Sequence, residues 1–257
     1  MRGAPPETFR PEELLANVIA GLIGDARHVA VGNASPIPAL AAMLCRARGN
    51  GRPYVSVLGS RADNFFSDGG RELFDCAGQG RVDVFFLSGG QIDGQANINL
   101  VSVGDYDKPA ARFPGSFGSA YLYYVVPRVI LFRLEHTRRT LVEKVDFVSA
   151  PGTSPDNVYR PGGPIALVTN RCLFAFDRAR ARFSLASVHP GHTVEEVVAN
   201  TGFAFVVIAP AYSLLHTSWH GREPISVQNG KPRMTLLNTY YVKPPKAGEI
   251  ASETEYR

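Results

Sequence analysis

Glu135 and His136 stand side by side with Arg138 and Arg139 close behind, a grouping that joins a carboxylate and an imidazole to two guanidinium groups. Such a set can move a proton and hold a phosphate or carboxylate. A solvated charged turn has the same composition, and both readings stand. Two glycine-rich loops are the other stretches able to do chemistry. The first, Ser88-Gly89-Gly90-Gln91-Ile92-Asp93-Gly94, runs on to Asn97 and Asn99. Short polar side chains there bond neighbouring backbone groups and hold an irregular loop, with ligand contact as a second role. The second, Pro114-Gly115-Ser116-Phe117-Gly118-Ser119-Ala120, gathers small residues whose backbone N–H groups a substrate can approach closely. Either loop taken alone also suits a tight turn. His189 and His192 flank Pro190-Gly191 without a carboxylate between them, and a helix start at Thr193 accounts for the local sequence, so no metal is expected. The three cysteines, Cys45, Cys76 and Cys172, lie far apart with no CxxC spacing, which fits a reducing cytoplasm.

These residues need elements to place them. Leu14, Leu15, Val18, Ile19, Leu22 and Ile23 form one apolar helical face behind Thr8, Pro11, Glu12 and Glu13, and that helix ends near Gly24. A strand over 28–31, a turn over 32–36, a helix over 39–48, a strand over 54–58, a helix over 70–77 and a strand over 82–87 follow. Strands separated by helices of this length need crossover connections and hence a mainly parallel sheet with helices on both faces. The first glycine-rich loop leaves the end of the 82–87 strand, where open α/β sheets bind ligands. The second precedes an apolar, β-branched and aromatic run read as a strand over 123–132, and 144–149 is strand-like. Three short strands over 165–169, 172–176 and 183–188 read as a meander, followed by a helix from Thr193 through Asn200 and a strand over 203–208. Residues 1–210 thus form one α/β domain, and 211–257, polar and proline-bearing with Trp219, Tyr240 and Tyr241 as anchors, an extended arm.

With 257 residues, 45% of them hydrophobic, the chain can bury one large core. Its 27 Lys and Arg are scattered among 23 acids, giving a net charge of +4 with no run that would track a nucleic-acid backbone. The amino terminus lacks the apolar stretch of a signal peptide, and no segment approaches the uninterrupted apolar length of a membrane span, so a soluble cytoplasmic protein is expected. No GxSxG, GxxxxGK[ST], HExxH or GxGxxG occurs, which disfavours serine-hydrolase, P-loop, zincin and dinucleotide chemistry.

From about Val82 to Ile208 the chain resembles the β subunit of the class I coenzyme A transferases of the glutaconate CoA-transferase type. The residues that carry the likeness are Gly89-Gly90-Gln91-Ile92-Asp93 with Gly94, Asn97-Ile98-Asn99, Gly104-Asp105-Tyr106, Pro114-Gly115-Ser116 with Gly118, Glu135-His136 with Arg138-Arg139, Val142 to Phe147, Ser149-Ala150-Pro151-Gly152, Ser187-Val188-His189-Pro190-Gly191, and Glu195-Glu196-Val197 with Asn200-Thr201-Gly202-Phe203. The resemblance implies an open α/β CoA-transferase fold and an α-subunit partner, usually in an α2β2 assembly. It also implies a coenzyme A thioester as substrate, with no separate cofactor, while the scattered charge and the lack of a long apolar segment speak for no nucleic-acid and no membrane partner. His189 and His192 become part of a family turn.

Transferring members carry a nucleophilic glutamate in a loop after the second strand, and here that loop reads Leu58-Gly59-Ser60-Arg61-Ala62, with Gly59 at the glutamate position and Asp63 the next acid. A glycine cannot replace a carboxylate nucleophile. Relatives without this glutamate open a ring of a steroid-derived CoA thioester by hydrolytic carbon–carbon cleavage, using an α-subunit carboxylate, and this chain is similar to them in that respect. The expected site follows. Gly118, Ser119 and Ala120 offer backbone donors, with His136 as a general acid or supporting group. Gly89, Gly90, Gln91, Asp93, Asn97, Asn99, Gly115 and Ser116 shape the acyl or CoA pocket. A true CoA-transferase using another acid and a catalytically silent scaffold subunit are the alternatives.

Overall fold

The computed structural model describes residues 9–208 and the short strands Val227–Gln228, Lys231–Pro232 and Thr239–Val242. Helix α1 (Pro11–Ile23) opens on Pro11, whose missing N–H is no loss in a first turn, and the Glu13 carboxylate accepts from the Arg10 N–H at 3.0 Å. The expected cap, Thr8, lies outside the described residues. Strand β1 (His28–Val31) leads to α2 (Pro36–Arg48), which begins earlier than the sequence indicated because Pro36 and Pro38 both fall in its first turn. β2 (Tyr54–Val57), α3 (Gly69–Gly78) and β3 (Val84–Leu87) complete the first alternating run.

Two small hairpins follow, β4 (Gln91–Ile92) with β5 (Ile98–Asn99) and β6 (Ser102–Val103) with β7 (Ala111–Arg112). The expected strand over 123–132 is corrected at its front half: Ser119–Val125 is a helix, α4, and only Arg128–Arg133 is strand β8. Leu122, Tyr123 and Val126 are all buried in the core at that helix, and the Tyr123 hydroxyl donates to the Ala96 carbonyl at 2.9 Å, so packing overrides the β preference of the aromatic run. Residues 144–149 are likewise irregular rather than a strand.

The meander is as expected: β9 (Pro164–Thr169), β10 (Cys172–Asp177) and β11 (Arg182–Val188) pair antiparallel in sequence. Helix α5 (Val194–Asn200) is capped by the Thr193 hydroxyl, which accepts from the Glu196 N–H at 3.2 Å, and β12 (Phe205–Ile208) lies parallel to β11. In the arm, β13 (Val227–Gln228) pairs with β14 (Lys231–Pro232), and β15 (Thr239–Val242) adds antiparallel to β12. The division at residue 210 and the rest of the arm lie outside the described residues.

One nine-stranded sheet results, in the order β15-β12-β11-β10-β9-β8-β3-β1-β2, and the run β2-β1-β3-β8-β9 is parallel throughout. All four residues of β3 are buried, as a strand covered on both faces demands. Val84 and Phe86 pack with Leu15, Ile19 and Ile23 of α1 and Ala41 and Ala42 of α2, while Phe85 and Leu87 pack with Leu73 of α3, Leu122 and Tyr123 of α4 and Val197 of α5. Helices therefore cover both faces of a mainly parallel sheet. No helix among the described residues is long and apolar enough to cross a membrane.

Candidate functional site

The parallel strands run the same way, so the loops leaving β1, β2, β3 and β8 gather at one edge of the sheet. The chain passes from β1 outward to β2 and returns past β1 to β3, which puts the reversal of strand order between β1 and β3. A crevice for ligands forms at such a reversal, outside the carboxyl ends of the strands. The segments at that position are Gly32-Asn33 after β1 and Ser88-Gly89-Gly90 after β3, with Leu58-Gly59 after β2 alongside.

The first glycine-rich loop is held by a network of side-chain amides and carboxylates. Gln91 Nε2 donates to Asp146 Oδ2 at 2.9 Å, while Gln91 Oε1 accepts from Asn99 Nδ2 at 2.7 Å and from the Asp146 N–H at 3.0 Å. Asn99 Oδ1 accepts from the N–H groups of Val101 and Ser102. Asp93 accepts from the N–H groups of Gln95 and Asn97 and from the Asn97 side chain, and Asn97 Oδ1 accepts from the Gly152 N–H at 3.1 Å. Gln91, Asp93 and Asn99 are buried. The network ties 91–104 to 145–152, so four of the expected binding residues shape the loop through bonds to the protein itself. Asp146, its anchoring carboxylate, was not among the expected residues; its place within a strand-like stretch of sequence gave no sign of it.

The glycines of both loops are set by packing. A Cβ on Gly90 would run into the Phe113 ring and one on Gly118 into the Phe74 ring, while one on Gly89 would lie 2.6 Å from Ile98. Phe113 against Gly90, and the Gly115 N–H bonded to the Leu100 carbonyl at 3.0 Å, bring the two loops together. Ser119 turns both its N–H and its hydroxyl onto the Ser116 carbonyl, and Ala120 follows in the first turn of α4. Phe117, between Ser116 and Gly118, is 89% exposed and leans on Phe74.

His136 follows the end of β8. It is 2% exposed, with Nδ1 2.8 Å from the Thr169 hydroxyl and Nε2 2.9 Å from the Thr201 hydroxyl. Burial, reinforced by the nearby Arg171 guanidinium, lowers its pKa to about 4. Its neighbour Glu135 bonds Arg139 at 2.8 Å and the Thr137 hydroxyl, so the pair divides into a buried neutral ring and a surface carboxylate. His189 is also buried, with a pKa lowered to about 4, whereas His192 sits 3.1 Å from Glu196. No group of His, Cys, Asp and Glu among the described residues is arranged to hold a metal.

Gly59 has φ +79°, a conformation that side-chain-bearing residues rarely adopt, and a Cβ there would meet the Asn33 carboxamide oxygen at 2.6 Å. Asp63, the next acid, bonds Arg46 at 3.0 Å. The loop after β2 therefore offers no free carboxylate. Asn33 belongs to no motif and reads in the sequence as part of a turn; the signal available was its position just after β1, next to the strand reversal.

The coenzyme A transferase family model matches residues 8–200. The chain is 33% identical over 193 residues to a subunit of 3-oxoadipate CoA-transferase from Pseudomonas knackmussii, covering 72% of this chain and 71% of that one. It is 31% identical over 145 residues to the cholesterol ring-cleaving hydrolase IpdB subunit of Rhodococcus jostii, covering 55% of this chain and 56% of that one. Among solved structures, glutaconate coenzyme A-transferase from Acidaminococcus fermentans superposes with a TM-score of 0.66 at 25% identity, over 76% of this chain and 85% of that one. Strand order, the loops at the carboxyl edge and these matches agree that the chain belongs to the coenzyme A transferase family.

Proposed function

We propose that this chain is the β-type subunit of an α2β2 enzyme that acts on an acyl-CoA thioester by hydrolysis. The substrate carries a ring of steroid type, opened by carbon–carbon cleavage, and the α partner supplies the carboxylate. No resident cofactor is involved. The observation that carries this reading is the loop after β2: Gly59, which the resemblance sets at the nucleophile position, faces the Asn33 carboxamide, and Asp63 bonds Arg46, so the loop offers no free acid. The likeness to a ring-cleaving hydrolase subunit supports it. Transfer of CoA between carboxylic acids is the second reading, favoured by the likeness to a 3-oxoadipate CoA-transferase subunit.

One experiment separates them. The complex, co-purified from its source, is incubated with acyl-CoA in ¹⁸O-water and treated with hydroxylamine. Hydrolysis places ¹⁸O in the product acid and leaves this chain unmodified. A hydroxamate on any Asp or Glu of this chain means transfer through a covalent thioester and sinks the hydrolytic reading.

A further inference from the structure

At the amino edge of the parallel strands, where β9 begins and β10 ends, two guanidinium groups share one backbone carbonyl. Arg160 Nε donates to the Gly162 carbonyl at 3.1 Å and Arg178 Nη2 to the same oxygen at 2.7 Å, with the Arg160 carbonyl 3.2 Å from Arg178 Nη2 as well. Gly163, with φ +143°, leaves the space between them open: a Cβ there would lie 3.5 Å from the Nε of both arginines. Arg160 also donates to the Tyr123 carbonyl at 2.9 Å and to the Ser154 hydroxyl at 3.4 Å, and its guanidinium carbon lies 5.3 Å from the centre of the Tyr123 ring.

Every one of these partners is neutral. Burial lowers the Arg160 pKa, and the Arg178 charge acts in the same direction. Among the described residues no carboxylate pairs with either group: Asp177, beside Arg178 in the chain, bonds Arg180 at 3.0 Å, and Asp156 forms an ion pair with neither arginine. Ser154, Pro155, Asp156 and both arginines line a cavity of about 270 Å³. Arg178 is exposed, and its Nε and Nη1 donors have no hydrogen bond among the described residues. Two positive charges with fork donors still open suit a tetrahedral dianion, whereas a carboxylate would neutralise only one of them.

We propose that this cavity is a binding site for a phosphoryl dianion, held between Arg160 and Arg178 with the Ser154 hydroxyl beside it. The two arginines stand at the opposite edge of the sheet from the loops that follow β1, β2, β3 and β8, and the proposal needs no assumption about the acyl-CoA reaction. The ligand is inorganic phosphate or the phosphate of a small monoester.

The test titrates inorganic phosphate, methyl phosphate and acetate, each alone, into the complex of this chain with its partner at about pH 8, above the second ionisation of a phosphomonoester. Wild type is compared with Arg178→Gln, which removes the charge but keeps an amide N–H for the Gly162 carbonyl, with Arg178→Ala, and with Arg180→Ala, which removes a neighbouring exposed charge. Calorimetry should show phosphate bound about 10-fold more tightly than acetate, about 10- to 100-fold weaker phosphate binding in both Arg178 variants, and no change in Arg180→Ala. Methyl phosphate binding as tightly as inorganic phosphate assigns the site to a phosphomonoester, and a preference for inorganic phosphate assigns it to the free ion. Where Arg178→Ala lowers the thermal midpoint, Arg178→Gln decides alone. A wild-type complex that takes up no phosphate, unchanged affinity in Arg178→Gln, an equal loss in Arg180→Ala, or acetate bound as tightly as phosphate overturns the proposal.

Discussion

His136 and His189 illustrate how a titratable residue can serve the fold by staying neutral. Each has a pKa of about 4 in the folded chain against 6.5 when free, so as pH falls the unfolded chain takes up protons first. Their contribution is complete above pH 6.5 and declines from there toward pH 4, by about 3 kcal/mol for each ring. Urea unfolding at pH 7, 6 and 5 should show stability dropping across that interval, and a flat profile would show that the rings are not buried neutral. At Gly59, introducing a nucleophilic acid should fail for a structural reason. Gly59→Glu must adopt φ +79° and displace Asn33, so it should cost about 1 to 2 kcal/mol and yield no hydroxylamine-sensitive adduct by mass spectrometry.

Among the elements, the hairpin β4–β5 is tied by Gln91 to both the backbone N–H and the carboxylate of Asp146, besides its own two-residue ladder. Asn99→Leu, close in size, should strip partners from Gln91 and from the Val101 and Ser102 N–H groups and cost about 2 to 4 kcal/mol in chemical denaturation; a loss below about 0.5 kcal/mol would mean water replaces the amide without cost. The alternating strands and helices from α1 to β3 were legible because hydrophobic period and proline or glycine punctuation agree there. The meander was legible for the same reason. Helix α4 was not, since the sequence Tyr121-Leu122-Tyr123-Tyr124-Val125 favours strand locally and only contacts with Ala96 and the core decide it. The loops of the candidate site could be placed at the strand ends from sequence, but partners of Gln91 and Asp93 lie some fifty residues away along the chain and no local pattern announces them.

For the molecule as a whole, the sheet ends on β2, beside which Tyr54 and Phe65 are 49% and 48% exposed with ring centroids 4.6 Å apart. An outer strand with exposed aromatics invites association. Expressed without a partner, the chain should self-associate in light scattering, and a monodisperse monomer with full acyl-CoA activity would refute the need for a second subunit. The glycines that press against rings, Gly90 on Phe113 and Gly118 on Phe74, bear on how such a protein can change over generations. Neither member of a pair can alter alone without a clash or a hole, so Gly118→Ala should destabilise by about 1 to 3 kcal/mol and Phe74→Ala in the same chain should recover part of it. Lineages exploring new substrates are thereby steered away from the backbone of these loops and toward exposed side chains, where a single substitution leaves the scaffold standing.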